Sequence, residues 1–161
     1  STYRGILYFH SSCLQFFFTL LWFTECFSAD SHCDEGYLLY DEYCYHFETE
    51  TVMKWQDAEN YCVAQNGHLV SIHSQETVSF LTATSDVWIG LNDLGYHWSD
   101  GTPVSHTNWG HGEPNNHNGR ENCVEMVTTE NGTSWWNDLN CDAHQDWILI
   151  FSNDLNSSQM S

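Results

Sequence analysis

The chain has 161 residues, 41% hydrophobic and 16% aromatic, and its 22 acidic side chains against three basic ones set a formal charge of −19. Charge of that sign excludes nucleic-acid backbones and anionic membrane surfaces as partners, because like charges repel. Eight Trp, eight Tyr and nine Phe supply the apolar bulk of one folded domain and exclude a disordered chain.

At the start, Arg4 precedes an apolar run, Leu14-Gln15-Phe16-Phe17-Phe18-Thr19-Leu20-Leu21-Trp22-Phe23, and small residues follow at Cys26, Ser28 and Ala29. This order predicts a secretory signal peptide over 1–29, and therefore an extracellular protein. Cleavage after Ser28 sets Cys26 and Ser28 at the small-residue positions, which suits the signal better than cleavage after Ala29. The run falls short of the roughly 20 residues of a membrane span, so a signal anchor is the second reading, and no span is expected in the mature chain. A domain over 30–149 and a tail over 150–161 complete the expected organisation. With Cys13 and Cys26 in the leader, Cys33, Cys44, Cys62, Cys123 and Cys141 remain, an odd set in a compartment that favours disulfides.

Residues 37–40 and 43–47 flank Asp41-Glu42 and predict a hairpin. Thr51 is a candidate cap for a helix running to about Asn66, with Trp55, Ala58 and Cys62 inward and Asn66-Gly67 as the stop. Residues 68–72 alternate like a strand, and Ser74 caps a second helix with Glu76 in its first turn and Val78, Phe80 and Leu81 inward. Residues 87–91 read as a buried strand, 99–103 as turn chemistry, and 123–127, 134–136 and 147–151 as the last strands. The class is α+β in one domain. Little periodicity marks the stretch from Gly90 to Cys123, and a loop that long inside a compact domain is usually functional.

That loop and the strand after it carry hard oxygen donors. Glu113, Glu121 and Asp138 are carboxylates, and Asn115 and Asn137 are carboxamides, with Arg120 the only cation between 113 and 138. Carboxylates gathered without a counter-ion repel one another, and Ca²⁺ takes roughly six to eight such oxygens. Glu113 and Asn115 point the same way on an extended backbone. Asn137 and Asp138 point oppositely in a regular strand, so joint coordination requires Asp138 to sit at a strand end and turn back. His97, His106, His111 and His117 invite a zinc-hydrolase reading, but no pair has helical i, i+4 spacing with a Glu base. No nucleophile elbow or redox Cys pair is present, so no enzyme activity is expected. Asn131-Gly132-Thr133 and Asn156-Ser157-Ser158 are glycosylation acceptors.

Glu113-Pro114-Asn115, then Glu121, then Trp136-Asn137-Asp138, with Trp88-Ile89-Gly90-Leu91 upstream and Cys123 and Cys141, resembles the C-type lectin family over 33–148. The resemblance implies that Glu113, Asn115, Glu121, Asn137 and Asp138 ligate Ca²⁺, and that Glu113, Asn115, Glu121 and Asn137 also bind sugar hydroxyls directly. It implies a cis Glu113-Pro114 bond and pairs Cys33 with Cys44 and Cys123 with Cys141. Glu-Pro-Asn is the order that the family uses for mannose-type sugars (mannose, fucose, GlcNAc, glucose), whereas galactose-type members resemble Gln-Pro-Asp. Trp109 and His111 are placed to stack on a sugar, although Trp109 also suits the core. Glycans on microbial or cell surfaces are the implied partners. Asp93 and Asn116 match part of an auxiliary Ca²⁺ site, but the loop after Asp93 is short and one acidic ligand is missing. A second departure is Leu149, which stands where the family has the partner of Cys62. The rival function is an adhesion or mineral-matrix protein of the same fold that binds no sugar, to which the charge of −19 is suited.

Overall fold

A computed structural model describes residues 13–15, 24–26, 32–82, 85–92 and 97–153. Within the expected leader, β1 (Cys13–Gln15) pairs antiparallel with β2 (Thr24–Cys26). These strands belong to a compact unit separate from His32–Asp154. The rest of 1–29, together with Asp93, Asn156 and the tail from 154, lies outside the described residues.

The second unit is α+β. Its strands are β3 (Leu38–Tyr40), β4 (Tyr43–Met53), β5 (His68–Leu69), β6 (Val87–Asn92), β7 (Cys123–Thr128), β8 (Ser134–Leu139) and β9 (Gln145–Ser152). Its helices are α1 (Trp55–Ala64) and α2 (Gln75–Leu81). The sheet runs β3-β4-β9-β6-β7-β8, with β5 added to β9. Among the pairings of these strands, β6–β9 is parallel and the others are antiparallel. No helix among the described residues is long and apolar enough to cross a membrane.

The hairpin of β3 and β4 forms as the sequence predicts, but β4 does not stop at 47. It continues to Met53, so Thr51 lies in a strand and is no helix cap. Two buried indoles cause this: Trp147 Nε1 donates to the Thr51 carbonyl at 3.2 Å, and Trp88 Nε1 to the Met53 carbonyl at 2.8 Å. They hold the backbone extended, and α1 begins only after Lys54, which makes no side-chain cap bond. The first helical amide, Trp55 N–H, donates instead to the Cys141 carbonyl at 3.1 Å.

The helix ends as expected. Gly67 N–H reaches the Cys62 carbonyl at 2.9 Å and Asn66 N–H the Val63 carbonyl at 3.0 Å, a Schellman closure in which Asn66 takes the left-handed φ of 61°. Ser74 caps α2 by accepting from Thr77 N–H at 3.1 Å. Trp55, Ala58 and Cys62 face inward, and Val78 and Leu81 are buried while Phe80 is half-buried. Of residues 68–72, only His68 and Leu69 pair as a strand.

Two apolar clusters form the core. One gathers Val70, Ile72, Leu81, Ile89, Trp98, Met126, Trp136 and Ile148. The other gathers Trp55, Ala58, Cys62, Leu69, Trp88, Trp147 and Leu149. Cys33 bonds to Cys44 and Cys123 to Cys141, the pairing that the resemblance implies. Cys62 is a free, buried thiol that shares its cluster with Leu149.

Candidate functional site

The long loop is laid against β8 by its own backbone. Trp136 N–H donates to the Asn108 carbonyl at 2.7 Å, and Gly110 N–H donates to the Trp136 carbonyl at 2.9 Å. Trp109 is half-buried and meets Trp136 edge-on, ring centres 5.8 Å apart, so its indole serves the core, whereas His111 is exposed. Gly110 lacks a side chain for a steric reason: a Cβ there would lie 2.5 Å from Trp135 Cδ1. Glu113 N–H then closes a turn on the Gly110 carbonyl at 3.0 Å, and the Glu113–Pro114 bond is cis.

From this anchored turn the expected ligands spread along the loop. Asn115 Nδ2 donates to both carboxylate oxygens of Glu113, at 3.0 and 2.7 Å. The Asn115 and Asn116 amides donate to Asp138 Oδ1 and Oδ2 at 2.9 and 2.6 Å. Asp138 is only 1% exposed, so each bond to its carboxylate is charge-assisted in a dry setting, worth on the order of 1.5–3 kcal/mol. Asn116, with φ of 44°, accepts from Glu121 N–H through Oδ1 at 3.2 Å, while Glu121 Oε2 accepts from His117 N–H at 2.8 Å. These reciprocal bonds fold a short 3₁₀ turn, His117–Gly119, between them.

Asp138 does not sit at a strand end. β8 runs on through Leu139, with Asp138 opposite Val124 and Asn137 opposite Glu125. Strand alternation therefore sends the two side chains to opposite faces. Asp138 turns to the loop backbone, while Asn137 Nδ2 donates to Glu125 Oε1 at 2.9 Å. The loop thus brings Glu113, Asn115, Glu121 and Asp138 into one hydrogen-bonded chain and leaves Asn137 bonded to its neighbour on β7.

Glu125 belongs to none of the motifs legible in the sequence. It is 5% exposed, and its other oxygen accepts from Gln145 Nε2. Burial pushes its carboxyl above the usual range; the Asn137 and Gln145 amides oppose that shift, and the charges of Asp86 and Glu121 add to it. The available signal is a lone carboxylate inside an otherwise apolar strand, Cys123-Val124-Glu125-Met126-Val127.

The histidines do not converge. His106 packs edge-on against Trp136 at 5.9 Å, His97 bridges Pro103, and His111 and His117 are exposed. Among the described residues no group of three or more His, Cys, Asp or Glu side chains is gathered to hold a metal. The Ca²⁺ set is a mixture of carboxylates and carboxamides. All its donors are oxygens, and no cationic side chain pairs with them in the hydrogen bonds of the loop, which fits a hard cation in donor chemistry.

The Lectin C-type domain profile matches residues 51–148 of this chain. The mouse low affinity immunoglobulin epsilon Fc receptor is 40% identical over 129 residues, which is 75% of this chain and 38% of the receptor, so the chain spans well under half of that relative. The cow C-type carbohydrate-recognition domain of CD23, solved in the presence of GlcNAc2Man3 oligosaccharide, superposes with a TM-score of 0.68 at 36% identity, covering 75% of this chain and 96% of that one. A calcium-independent type II antifreeze protein superposes with a TM-score of 0.66 at 33% identity, covering 75% and 95%. The fold, both disulfides and the profile match agree, and this chain belongs to the C-type lectin domain family, whose members are binding modules rather than enzymes.

Proposed function

We propose that the protein is a secreted lectin that binds mannose-type glycans (mannose, fucose, GlcNAc) on microbial or cell surfaces with the help of Ca²⁺. The observation that carries this reading is the Glu113–Asn115 pair: a carboxylate acceptor and a carboxamide donor sit two residues apart on one anchored loop, joined at 2.7 and 3.0 Å. Glu113, Asn115, Glu121 and Asn137 would hold the ion, while Asp138, on the opposite face of β8, serves the loop backbone rather than joining Asn137 as a ligand. Bound Ca²⁺ supplies positive charge and open coordination positions for two neighbouring sugar hydroxyls. Around it, Glu113 and Glu121 would accept hydrogen bonds from hydroxyls, and the Asn115 and Asn137 amides would donate to hydroxyl oxygens, since Asn offers both groups and an ionised carboxylate only accepts. Asp138 keeps the backbone of 115 and 116 in place through its paired N–H bonds. A sugar ligand is further supported by the cow domain, whose structure was solved in the presence of an oligosaccharide.

Secretion is supported by the order of charge, apolar run and small residues over 1–29, and by disulfides of a kind that oxidising compartments favour. A second reading, adhesion to protein or mineral without sugar or Ca²⁺, has a specific motive in the charge of −19 and in the calcium-independent relative. Retention on mannose–agarose separates the two. The lectin reading expects retention in Ca²⁺ and release by EDTA or free mannose. Flow-through in Ca²⁺, with no signal on a glycan array, rejects it.

A further inference from the structure

We infer that Glu125 is the positioning residue for Asn137: it takes one amide hydrogen of Asn137 and thereby fixes the carboxamide with its oxygen turned away from Glu125 and its second hydrogen free. The inference rests on the Ca²⁺ reading above, in which Asn137 is a ligand through oxygen and a donor through nitrogen.

Three observations carry it. Glu125 stands directly opposite Asn137 in the β7–β8 register, and their contact is 2.9 Å, Nδ2 to Oε1. The carboxylate cannot swing away, because its other oxygen accepts from Gln145 on β9. The position is 5% exposed, where an apolar side chain would be accommodated without the cost of burying a charge. What the carboxylate adds is direction. An ionised carboxylate only accepts, so a flipped Asn137 would set oxygen against oxygen with little water to intervene. The amide nitrogen carries two hydrogens; Glu125 takes one and leaves one for a ligand hydroxyl. An outer partner of this kind orients a metal ligand without touching the metal.

Calorimetric titration with Ca²⁺ alone tests this on the full chain, using the parent, Glu125→Gln, Asn137→Ala and the double variant. Glu125→Gln is nearly isosteric but presents an amide nitrogen to one of its two partners. It should weaken Ca²⁺ binding roughly 10–100-fold. On the Asn137→Ala background the same change should have no further effect, which a merely structural role would not produce. An equal loss on both backgrounds, or no loss on the parent, overturns the inference while leaving the Ca²⁺ reading intact. A parent that binds no Ca²⁺ overturns the reading and the inference together. If Glu125→Gln does not fold, NMR of the unmutated protein decides. The Asn137 amide hydrogen bonded to Glu125 should resist solvent exchange in both EDTA and Ca²⁺, and exchange of that hydrogen as fast as those of the exposed Asn118 carboxamide sinks the assignment.

Discussion

Asn115 gives its amide to both oxygens of Glu113, so the pair already places donor against acceptor before any ligand is considered. Replacing Glu113 by Gln and Asn115 by Asp keeps one donor and one acceptor but reverses their order along the loop. The double variant is expected to favour galactose over mannose, moving the affinity ratio by about tenfold, ~1.4 kcal/mol, in competition binding. Retained Ca²⁺ with an unchanged mannose preference would remove the pair from the sugar site. Cys62 supports a different prediction. Burial, and then the Glu59 charge, push its thiol up to about 12. At neutral pH it should therefore ignore thiol reagents until denaturant is added, and rapid labelling of the native protein would contradict its buried place. Cys62 and Leu149 are both 0% exposed and share one cluster. Leu149→Cys is expected to form a bridge that stabilises by on the order of 4 kcal/mol in the loop-entropy account, read as a reductant-sensitive rise in melting temperature.

Among the elements, α1 shows how local signals and packing divide the work. Glu59 reaches from the helix to accept from Leu69 N–H at 2.8 Å and from His68 Nδ1 at 2.7 Å, clipping α1 to β5. The turn between them needs two different properties from Asn66-Gly67. Asn66 supplies the left-handed conformation, which Asn tolerates better than most residues. Gly67 supplies space, since a Cβ there would stand 2.5 Å from the Ile150 carbonyl oxygen and 2.6 Å from Leu149 Cδ1. Gly67→Ala should cost ~1–3 kcal/mol by forcing β9 away. Asn66→Gly should be close to neutral, because glycine enters that region freely. Urea midpoints of the two variants check both, and a silent Gly67→Ala would mean that the turn yields at no cost.

At the scale of the whole molecule, two carboxylates couple to acid in opposite directions. Burial alone would raise the Asp100 carboxyl, but hydrogen bonds from Ser71 and Thr102 and the charge of His73 outweigh it and hold the group below its ordinary 3.8. Its contribution is therefore full above the unfolded value and is lost as pH falls through the lower folded value. Glu125 has the reverse sign: its folded value is raised, so its contribution is full below the unfolded 4.5 and is lost as pH rises through the folded value. Asp100→Asn should therefore melt below the parent at neutral pH, and the gap should close in acid as the parent's Asp100 protonates. A gap that stays constant across that range would show that Asp100 acts by packing and not by charge.

Much of this was legible along the chain. The hairpin around Asp41, the Ser74 cap, the Asn66-Gly67 stop, the inward stripe of α1 and the buried strand from Val87 all follow from periodicity and turn chemistry, which act over a few residues. The resemblance carried the cysteine pairs and the motif positions. Tertiary structure decided what depends on partners distant in sequence. Indoles at 88 and 147 extend β4 through Thr51 and delay the helix. Pairing with β7 carries β8 through Leu139, and so parts Asn137 from Asp138. Glu125 takes its meaning from Gln145, 20 residues further on, and from Asn137 across the ladder. Short-range pattern chose the elements because backbone preferences are local, whereas the aims of Trp88, Trp147, Glu125 and Asn137 were chosen by hydrogen-bond partners brought close only by folding.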